Sequence, residues 1–378
     1  MKKATVAHIL MSEYKVDSRV ANETHSLSKH YDVEVLCMNR KLVECYETES
    51  NVKISRYGYK IGGSIFSYAF CYVDMLFSNL FRDFRVIHAH DLNGLIIGYA
   101  IAKLKRIPLI YDSHELWSES LHNSYPNFIL KIAKRLEKKL AQSSNGIITV
   151  SDSIARYLED YFNVSKIEVI RNVPSYIHDG EYDYFRNNLG FQKDIPIFLY
   201  QGLISKARGV PLILEALGKL EGNKPFRFIF LGDGPYVDSL QKEVIKLNLQ
   251  EKVFWHPSVN QNELLKYTAS VDIGVHAINN SCLNHEYCLP NKIFEYINSG
   301  IGIICPNLVE LKKLVDEYGV GSTFECGSSE SLADIIRNYI DNPNLIQKAK
   351  YGSSEGKRTL SWTNEESKLI DFYRKLLD

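Results

Sequence analysis

The sequence lacks several features whose absence narrows its function. No G-x-G-x-x-G stands at any strand-to-helix junction, which argues against a nicotinamide or flavin site. Neither charge sign dominates: lysine plus arginine number 45, and aspartate plus glutamate 45. Wholesale nucleic-acid binding is disfavoured, and only local patches need explaining. The seven cysteines form no paired framework. Cys37 and Cys305 fall in apolar runs, where a free thiol behaves as a small hydrophobe. A reduced, cytoplasmic protein is expected. No apolar run reaches spanning length unbroken. The longest, Ile61 to Phe81, is interrupted by Ser64, Ser67, Asp74, Ser78 and Asn79, and is not read as a membrane span. Ala4 to Met11 is too short for a signal sequence core. Low-complexity tracts and repeats are missing too.

What remains is a globular composition, 45% hydrophobic and 24% charged, in a chain of 378 residues. That length accommodates two domains. Apolar strands and helices alternate along it. Strands are predicted at Thr5–Leu10, Val33–Met38, Val52–Tyr57, Val86–His90, Pro108–Asp112, Gly146–Ser151 and Ile167–Ile170. A helix from about Asp17 to His30 is capped by Asp17. Around Asn172 the pattern lapses into a polar, tyrosine-rich stretch to Asn188, which suits an interdomain linker. The alternation restarts with Ile197–Gln201, Phe226–Leu231, Val253–Trp255 and Val271–Val275. Such alternation predicts two doubly wound α/β halves built of right-handed parallel units. Ligands then belong at the carboxyl ends of the strands, in a crevice between the halves.

Several strand ends carry polar groups. Gly202-Leu-Ile-Ser-Lys-Ala-Arg-Gly209 places Lys206 and Arg208 beside a helix N-terminus, where cations and amides can share a phosphate; the alternative is a plain connecting loop. Gly232-Asp233-Gly234-Pro235 is a tight turn that lets a ligand approach the backbone. The stretch Cys288 to Asn307 reads as a turn, a helix Lys292–Ser299 with Pro290 in its first turn and Gly300 as its left-handed cap, and a strand Ile301–Cys305. Glu295 shares a face with Asn291 and Lys292. In the first half, Arg19 lies in the first turn of its helix. His90 and Asp91 end one strand, and His114 and Glu115 follow another. Histidines and carboxylates there are candidates for hydroxyl binding or acid/base work. Cys282, His285, Glu286 and Cys288 fit no standard zinc spacing, so no metal is expected. The helix 127–143 has a basic face of Lys131, Lys134, Arg135, Lys138 and Lys139, with Ile132, Leu136 and Leu140 as the opposite stripe. It is read either as a solvated helix packed on the sheet or as a contact for an anionic membrane or lipid diphosphate.

In order, Asp17-Ser-Arg-Val20, His88-Ala-His-Asp91, Tyr111-Asp-Ser-His-Glu115, Val150-Ser151, Ile170-Arg-Asn172, the Gly202–Gly209 loop, Gly232-Asp-Gly-Pro235, Pro290-Asn-Lys-Ile-Phe-Glu295 and Ser361-Trp362 cover nearly the whole chain. In these the sequence resembles the retaining glycosyltransferases of family 4, of the GT-B fold. The resemblance implies an acceptor-side domain at 1–175, a nucleotide-sugar domain at 190–360 and a helix at 361–378 crossing back to the first. It implies a UDP-sugar donor, a glycan or lipid-diphosphate-linked acceptor, no metal or other cofactor, and a cytoplasmic enzyme, peripheral on the membrane in the second reading of helix 127–143. Glu295 would hold the ribose hydroxyls. Arg208, Lys206, Lys292, Asn291 and helix-end amides would face the diphosphate, and His114 the sugar. The chain departs from the family at Leu203, where an arginine is usual, and at Tyr287, where a glutamate is. Arg19 is the expected substitute for an absent glycine-rich first loop. The alternatives are a nucleotide-sugar epimerase and a non-catalytic nucleotide-sugar-binding subunit.

Overall fold

The computed structural model describes residues 3–39, 43–58, 64–120, 125–175, 182–220 and 224–377. The chain divides into two compact units, Met1–Asn172 with Thr363–Asp378, and Val173–Trp362.

The first unit runs β1 (Thr5–Leu10), α1 (Ser18–Ser28), β2 (Asp32–Met38), β3 (Tyr46–Glu49), β4 (Val52–Tyr57), α2 (Ser64–Asn79), β5 (Val86–His90), α3 (Asp91–Lys105), β6 (Leu109–Ser113), α4 (Trp117–Ser120), α5 (Asn127–Gln142), β7 (Gly146–Thr149), α6 (Asp152–Phe162) and β8 (Ile167–Val169). Its sheet has the order β3-β4-β2-β1-β5-β6-β7-β8. Only β3 pairs antiparallel among these strands. Asp17 caps α1 as expected, accepting from Val20 N at 3.1 Å. Strand β5 shows why its sequence alternates. Ile87 and Ala89 face α3, where a Cβ on Gly98 would stand 2.8 Å from Ala89 Cβ. His88 and His90 take the opposite face, so a fully buried strand still carries two histidines.

The second unit runs α7 (Tyr184–Leu189), β9 (Ile197–Gln201), α8 (Val210–Gly218), β10 (Arg227–Leu231), α9 (Val237–Lys246), β11 (Val253–His256), α10 (Gln261–Ala269), β12 (Ile273–Val275), α11 (Leu283–Glu286), α12 (Asn291–Asn298), β13 (Gly302–Pro306), α13 (Val309–Tyr318), β14 (Gly321–Phe324), α14 (Ser329–Asp341) and α15 (Pro343–Thr359). Its parallel sheet has the order β11-β10-β9-β12-β13-β14. Both faces are buried. Phe198, Tyr200, Phe228 and Phe230 build one core, and Ile197, Leu199, Ile229 and Leu231 the other. That is the near-continuous apolar strand of a sheet covered on both sides. The last helix, α16 (Trp362–Leu377), belongs with the first unit. There the Tyr373 hydroxyl meets His88 Nδ1 at 2.7 Å, and Glu365 accepts from Arg171 N at 3.0 Å.

The stretch expected to be a linker contains α7, whose Phe185 is fully buried in the second unit's core. One apolar side chain, rather than any periodicity, anchors it. Residues 176–181 of that stretch lie outside the described residues.

Candidate functional site

In the second unit the strand ends enclose a cavity of about 650 Å³. Gln201 to Leu203 and Arg208 at and after β9, Leu231 to Asp233 at and after β10, Ser258, Val259 and Gln261 after β11, and Pro290 to Lys292 with Glu295 at α12 all line it. Two glycine-bearing turns make its floor. They bond backbone to backbone, Gly202 N to Leu231 O at 2.9 Å and Ile204 N to Asp233 O at 2.9 Å. Gly232 has φ +145°, and a Cβ there would stand 2.1 Å from Gly202 O. Only glycine allows the two turns to lie this close. The side chain of Asp233 is spent locally, accepting from Ser258 N at 3.1 Å and from Ser258 Oγ.

Helix α12 supplies the charge. Gly300 follows it in the left-handed conformation, φ +72°, as expected. Pro290 stands at the N-cap, one position before the first turn where the sequence reading puts it. Lys292 Nζ lies 4.2 Å from the centre of the Tyr200 ring, and a Cβ on Gly202 would stand 3.4 Å from it. Burial and the Arg208 guanidinium push the Lys292 ammonium down to about 7, against the pull of Glu295. An ammonium so placed gains from any anion that enters. Glu295 is 8% exposed. It accepts from Gln201 Nε2, and Gln201 Oε1 accepts from Thr268 Oγ1 at 2.7 Å. Burial raises its carboxyl above the usual range. The cavity therefore pairs a cationic end, Arg208 and Lys292, with a held carboxylate one turn along the helix.

The first unit gathers a second polar cluster, at the ends of β5 and β6. His114 Nε2 lies 3.0 Å from His90 Nδ1 and 3.1 Å from Asp112 Oδ2. Its backbone N–H donates to Asp91 Oδ1 at 3.1 Å. Asp91 opens α3 with φ +53°, a strained conformation for a non-glycine residue. Burial opposes charge on His114, but Asp91 and Asp112 outweigh it and raise the imidazole to about 10. His90 is pushed down to about 3, by burial first and then His88. The two touching rings thus differ in charge at neutral pH. His8, Glu23, His88 and His90 come within 4.8 Å of one another. The rings of His8, His88 and His90 lie 18° to 30° from parallel, and His8 Nδ1 meets His90 Nε2 at 2.9 Å.

Of the expected residues, Gly202, Arg208, Gly232, Asp233, Pro290, Asn291, Lys292 and Glu295 line one cavity. Gly234 supports it from behind, where a Cβ would stand 2.3 Å from Ile204 O. Lys206 is a correction. It projects from the short turn Lys206–Arg208 toward Tyr236, its Nζ 5.7 Å from that ring, and lies outside the cavity lining. Arg19 is another. It is 1% exposed, donates to both Asp112 oxygens and to Ile170 O, and pairs with Glu23 at 3.1 Å, so it is held inside the unit rather than open to a phosphate or acceptor. His90 is likewise buried, between His8 and His114. Asp91 and His114 are the partly exposed members, with Glu115 beside them. His285 and Glu286 are engaged within their own loop by Ser281 and Asn280. Sequence reasoning did not single out Gln201, Ser258 and Gln261 as site residues; Gln201 ends β9 and Ser258 lies two residues past β11, the strand-end signal used for the others, whereas Gln261 opens α10.

Helix α5 also differs from expectation. Ile132 and Leu136 are 58% and 39% exposed. Glu137 is buried instead, accepting from Tyr111 OH at 2.7 Å. Lys134 and Lys138 turn back onto the rest of the unit, to Glu119 and to Tyr161 O.

Two family models match the chain: Glycosyltransferase Family 4 over residues 16–173, and Glycosyl transferases group 1 over residues 182–356. Among named relatives, the chain is 22% identical to an alpha-monoglucosyldiacylglycerol synthase of Streptococcus pneumoniae, over 76% of this chain and 66% of that one. It is 24% identical to a chitobiosyldiphosphodolichol beta-mannosyltransferase of Candida albicans, over 69% of this chain and 60% of that one. The chain thus spans less than two thirds of either relative. Among solved structures, a sucrose-phosphate synthase from Thermosynechococcus elongatus superposes with TM-score 0.81 at 13% identity, covering 99% of both chains. Anabaena HepE in complex with UDP and glucose gives 0.77 at 16%, covering 99% of this chain and 100% of that one. With two Rossmann-like units in the GT-B manner and a family model matched along each of them, the chain belongs to glycosyltransferase family 4.

Proposed function

We propose that the chain transfers a sugar, with retention and without a metal, from a nucleotide-diphosphate sugar to a glycan or lipid-linked glycan in surface polysaccharide assembly. The observation that carries this is the cavity in which Arg208 and Lys292 oppose a buried, hydrogen-bonded Glu295. Cations and glycine-turn amides suit a diphosphate, and a held carboxylate suits ribose hydroxyls. As the glycosidic bond breaks, negative charge grows on the leaving phosphate. Arg208 and Lys292 are preorganised to stabilise it. Neither cavity carboxylate is free to attack the sugar, because Asp233 is held by Ser258 and Glu295 by Gln201. That favours front-face attack, with the leaving phosphate taking the acceptor's proton. UDP is the proposed nucleotide, since HepE holds UDP with glucose in the same fold. A lipid-borne acceptor at a membrane face is the proposed partner; the relatives' names, which specify a glucosyldiacylglycerol and a diphosphodolichol, support a lipid-borne one.

The test is a thermal-shift panel of nucleotide sugars, then a transfer and hydrolysis assay on the one that stabilises. Mass action raises the unfolding temperature only for ligands of the folded state. One observation favours a second reading, a non-catalytic nucleotide-sugar-binding subunit: Leu203, 53% exposed at the cavity, stands where the family carries an arginine. Stabilisation without turnover, across a range of acceptors, would establish it. Consumption of donor without acceptor, giving an isomeric nucleotide sugar, would indicate an epimerase.

A further inference from the structure

One outer face of the first unit is unlike the rest of its surface. On α2, Phe66, Phe70, Val73 and Phe77 recur at helical spacing and are 71%, 38%, 53% and 65% exposed. The other exposed positions described on this helix, Ala69 and Ser78, carry no charge. Asp74 is half-buried and accepts from Gly58 N and Ser78 Oγ. Helix α3 packs against both α2 and α5 and adds exposed Ile96 and Leu104. Helix α5 adds Ile132 and Leu136, with exposed Lys131, Arg135 and Lys139 among them. On α3, Lys103 Nζ donates to the Tyr99 hydroxyl at 3.0 Å.

Exposed apolar side chains gathered on neighbouring helices mark a docking site. The cations decide the occupant. A second copy laid on this face by a two-fold axis would bring Lys131, Arg135 and Lys139 against themselves. An anionic bilayer complements both parts, taking the aromatic rings into its headgroup boundary and the cations onto its phosphates. We propose that the α2–α3–α5 face seats the first unit on an anionic lipid surface. Phe66, Phe70 and Phe77 enter the interface, and Lys131, Arg135 and Lys139 pair with lipid phosphates. The proposal extends the lipid-borne acceptor reading, but its test uses no transfer reaction.

The whole chain is floated with phosphatidylcholine vesicles, with and without phosphatidylglycerol, across a salt series. The wild type is expected to float with the anionic vesicles. Salt should weaken the attachment without abolishing it, since ring insertion is not screened. Combining Phe66→Ser, Phe70→Ser and Phe77→Ser should lower partitioning by about tenfold or more at every salt concentration. Combining Lys131→Glu, Arg135→Glu and Lys139→Glu should lower it mainly at low salt. All six side chains are exposed, so both variants should keep the wild-type unfolding temperature. The proposal is overturned if the wild type floats with neither vesicle, or if the phenylalanine variant floats as well as the wild type. It is overturned equally if the wild type sediments as a dimer that this variant breaks while neither floats. A chain that floats yet is stabilised by no nucleotide sugar would sink the transferase reading and leave this one standing.

Discussion

Arg19 grips Asp112 with two prongs, Nε to Oδ2 at 2.9 Å and Nη2 to Oδ1 at 2.8 Å, across 93 residues of sequence. Both side chains are sealed from water, at 1% and 0% exposure. Removing one partner of such a pair leaves an uncompensated charge indoors. Arg19→Met should therefore destabilise the first unit by about 3–5 kcal/mol, read as a lowered urea midpoint. A loss under about 1 kcal/mol, the range of exposed pairs, would mean that the pair is not buried in solution.

His114 touches the same Asp112 and is raised to about 10. Its folded value lies above the ordinary 6.5. The stability it contributes is complete below that ordinary value and fades as pH climbs toward the folded one. The gap in unfolding temperature between wild type and His114→Gln should thus be wide at mildly acidic pH and narrow in alkali. Ring ¹⁵N shifts offer a direct check: His114 should be cationic at neutral pH and His90 neutral.

Lys292 runs the opposite way. Its folded value, about 7, lies below the ordinary 10.5. The cost of housing its charge is full below the folded value and shrinks as pH rises toward the ordinary one. Lys292→Met should be more stable than the wild type at and below neutrality, with the difference closing in alkali. A bound diphosphate would raise the ammonium again. Titration calorimetry in two buffers of different ionisation enthalpy should then show proton uptake on nucleotide binding just above neutral pH, absent in Lys292→Met.

Glu295→Ala and Arg208→Ala each remove a charged hydrogen-bonding group from the cavity. Such groups contribute about 1.5–3 kcal/mol toward a buried ligand, so nucleotide-sugar affinity or turnover should fall about tenfold or more. Wild-type transfer rates in both variants would dismiss the cavity as the donor site.

Gly209 and Gly190 share a left-handed backbone, φ +79° and +68°. A Cβ on Gly209 would overlap Ala277 O at 1.7 Å, whereas one on Gly190 meets nothing within 4 Å. Gly190→Ala should cost only the conformational term, about 1–2 kcal/mol. Gly209→Ala must also displace the turn that carries Arg208, and should weaken nucleotide binding that Gly190→Ala leaves alone. Equal binding by the two variants would refute the link between that turn and the cavity.

Much of this architecture is legible in the sequence. Runs such as residues 197–200 are apolar throughout because both faces of the sheet are covered. Their polar terminators mark the edge where the cavity forms, so Arg208, Lys292 and Glu295 can be placed without coordinates. Asp17 and Gly300 announce their helix ends through local backbone chemistry. Other features depend on partners far away in the chain. Nothing near Arg19 reveals that Asp112 will consume it. Ile132 and Leu136 look like a buried stripe because periodicity cannot tell that Glu137, paired with Tyr111, takes the inner position. Strand β3 is polar and forms a sheet edge. Helix α15 is glycine-bearing because Gly352 lies against the end of α13, where a Cβ would stand 2.3 Å from Gly319 O. In a sequence, that glycine reads as a breaker.

Helix α16 has a consequence for how the chain is made. The second unit is one continuous segment, Val173–Trp362, whereas the first needs residues 363–378 to cover His88 with Tyr373. During synthesis the amino-terminal unit emerges first, yet it waits for the last helix to finish its core, while the unit between can close as soon as it has left the ribosome. Until then His88 has lost its hydroxyl partner, and the ring of Phe372 is not yet seated against Gly146. The order of emergence and the order of completion are therefore reversed, and a ribosome stalled before Thr363 would display a finished second unit beside an unfinished first.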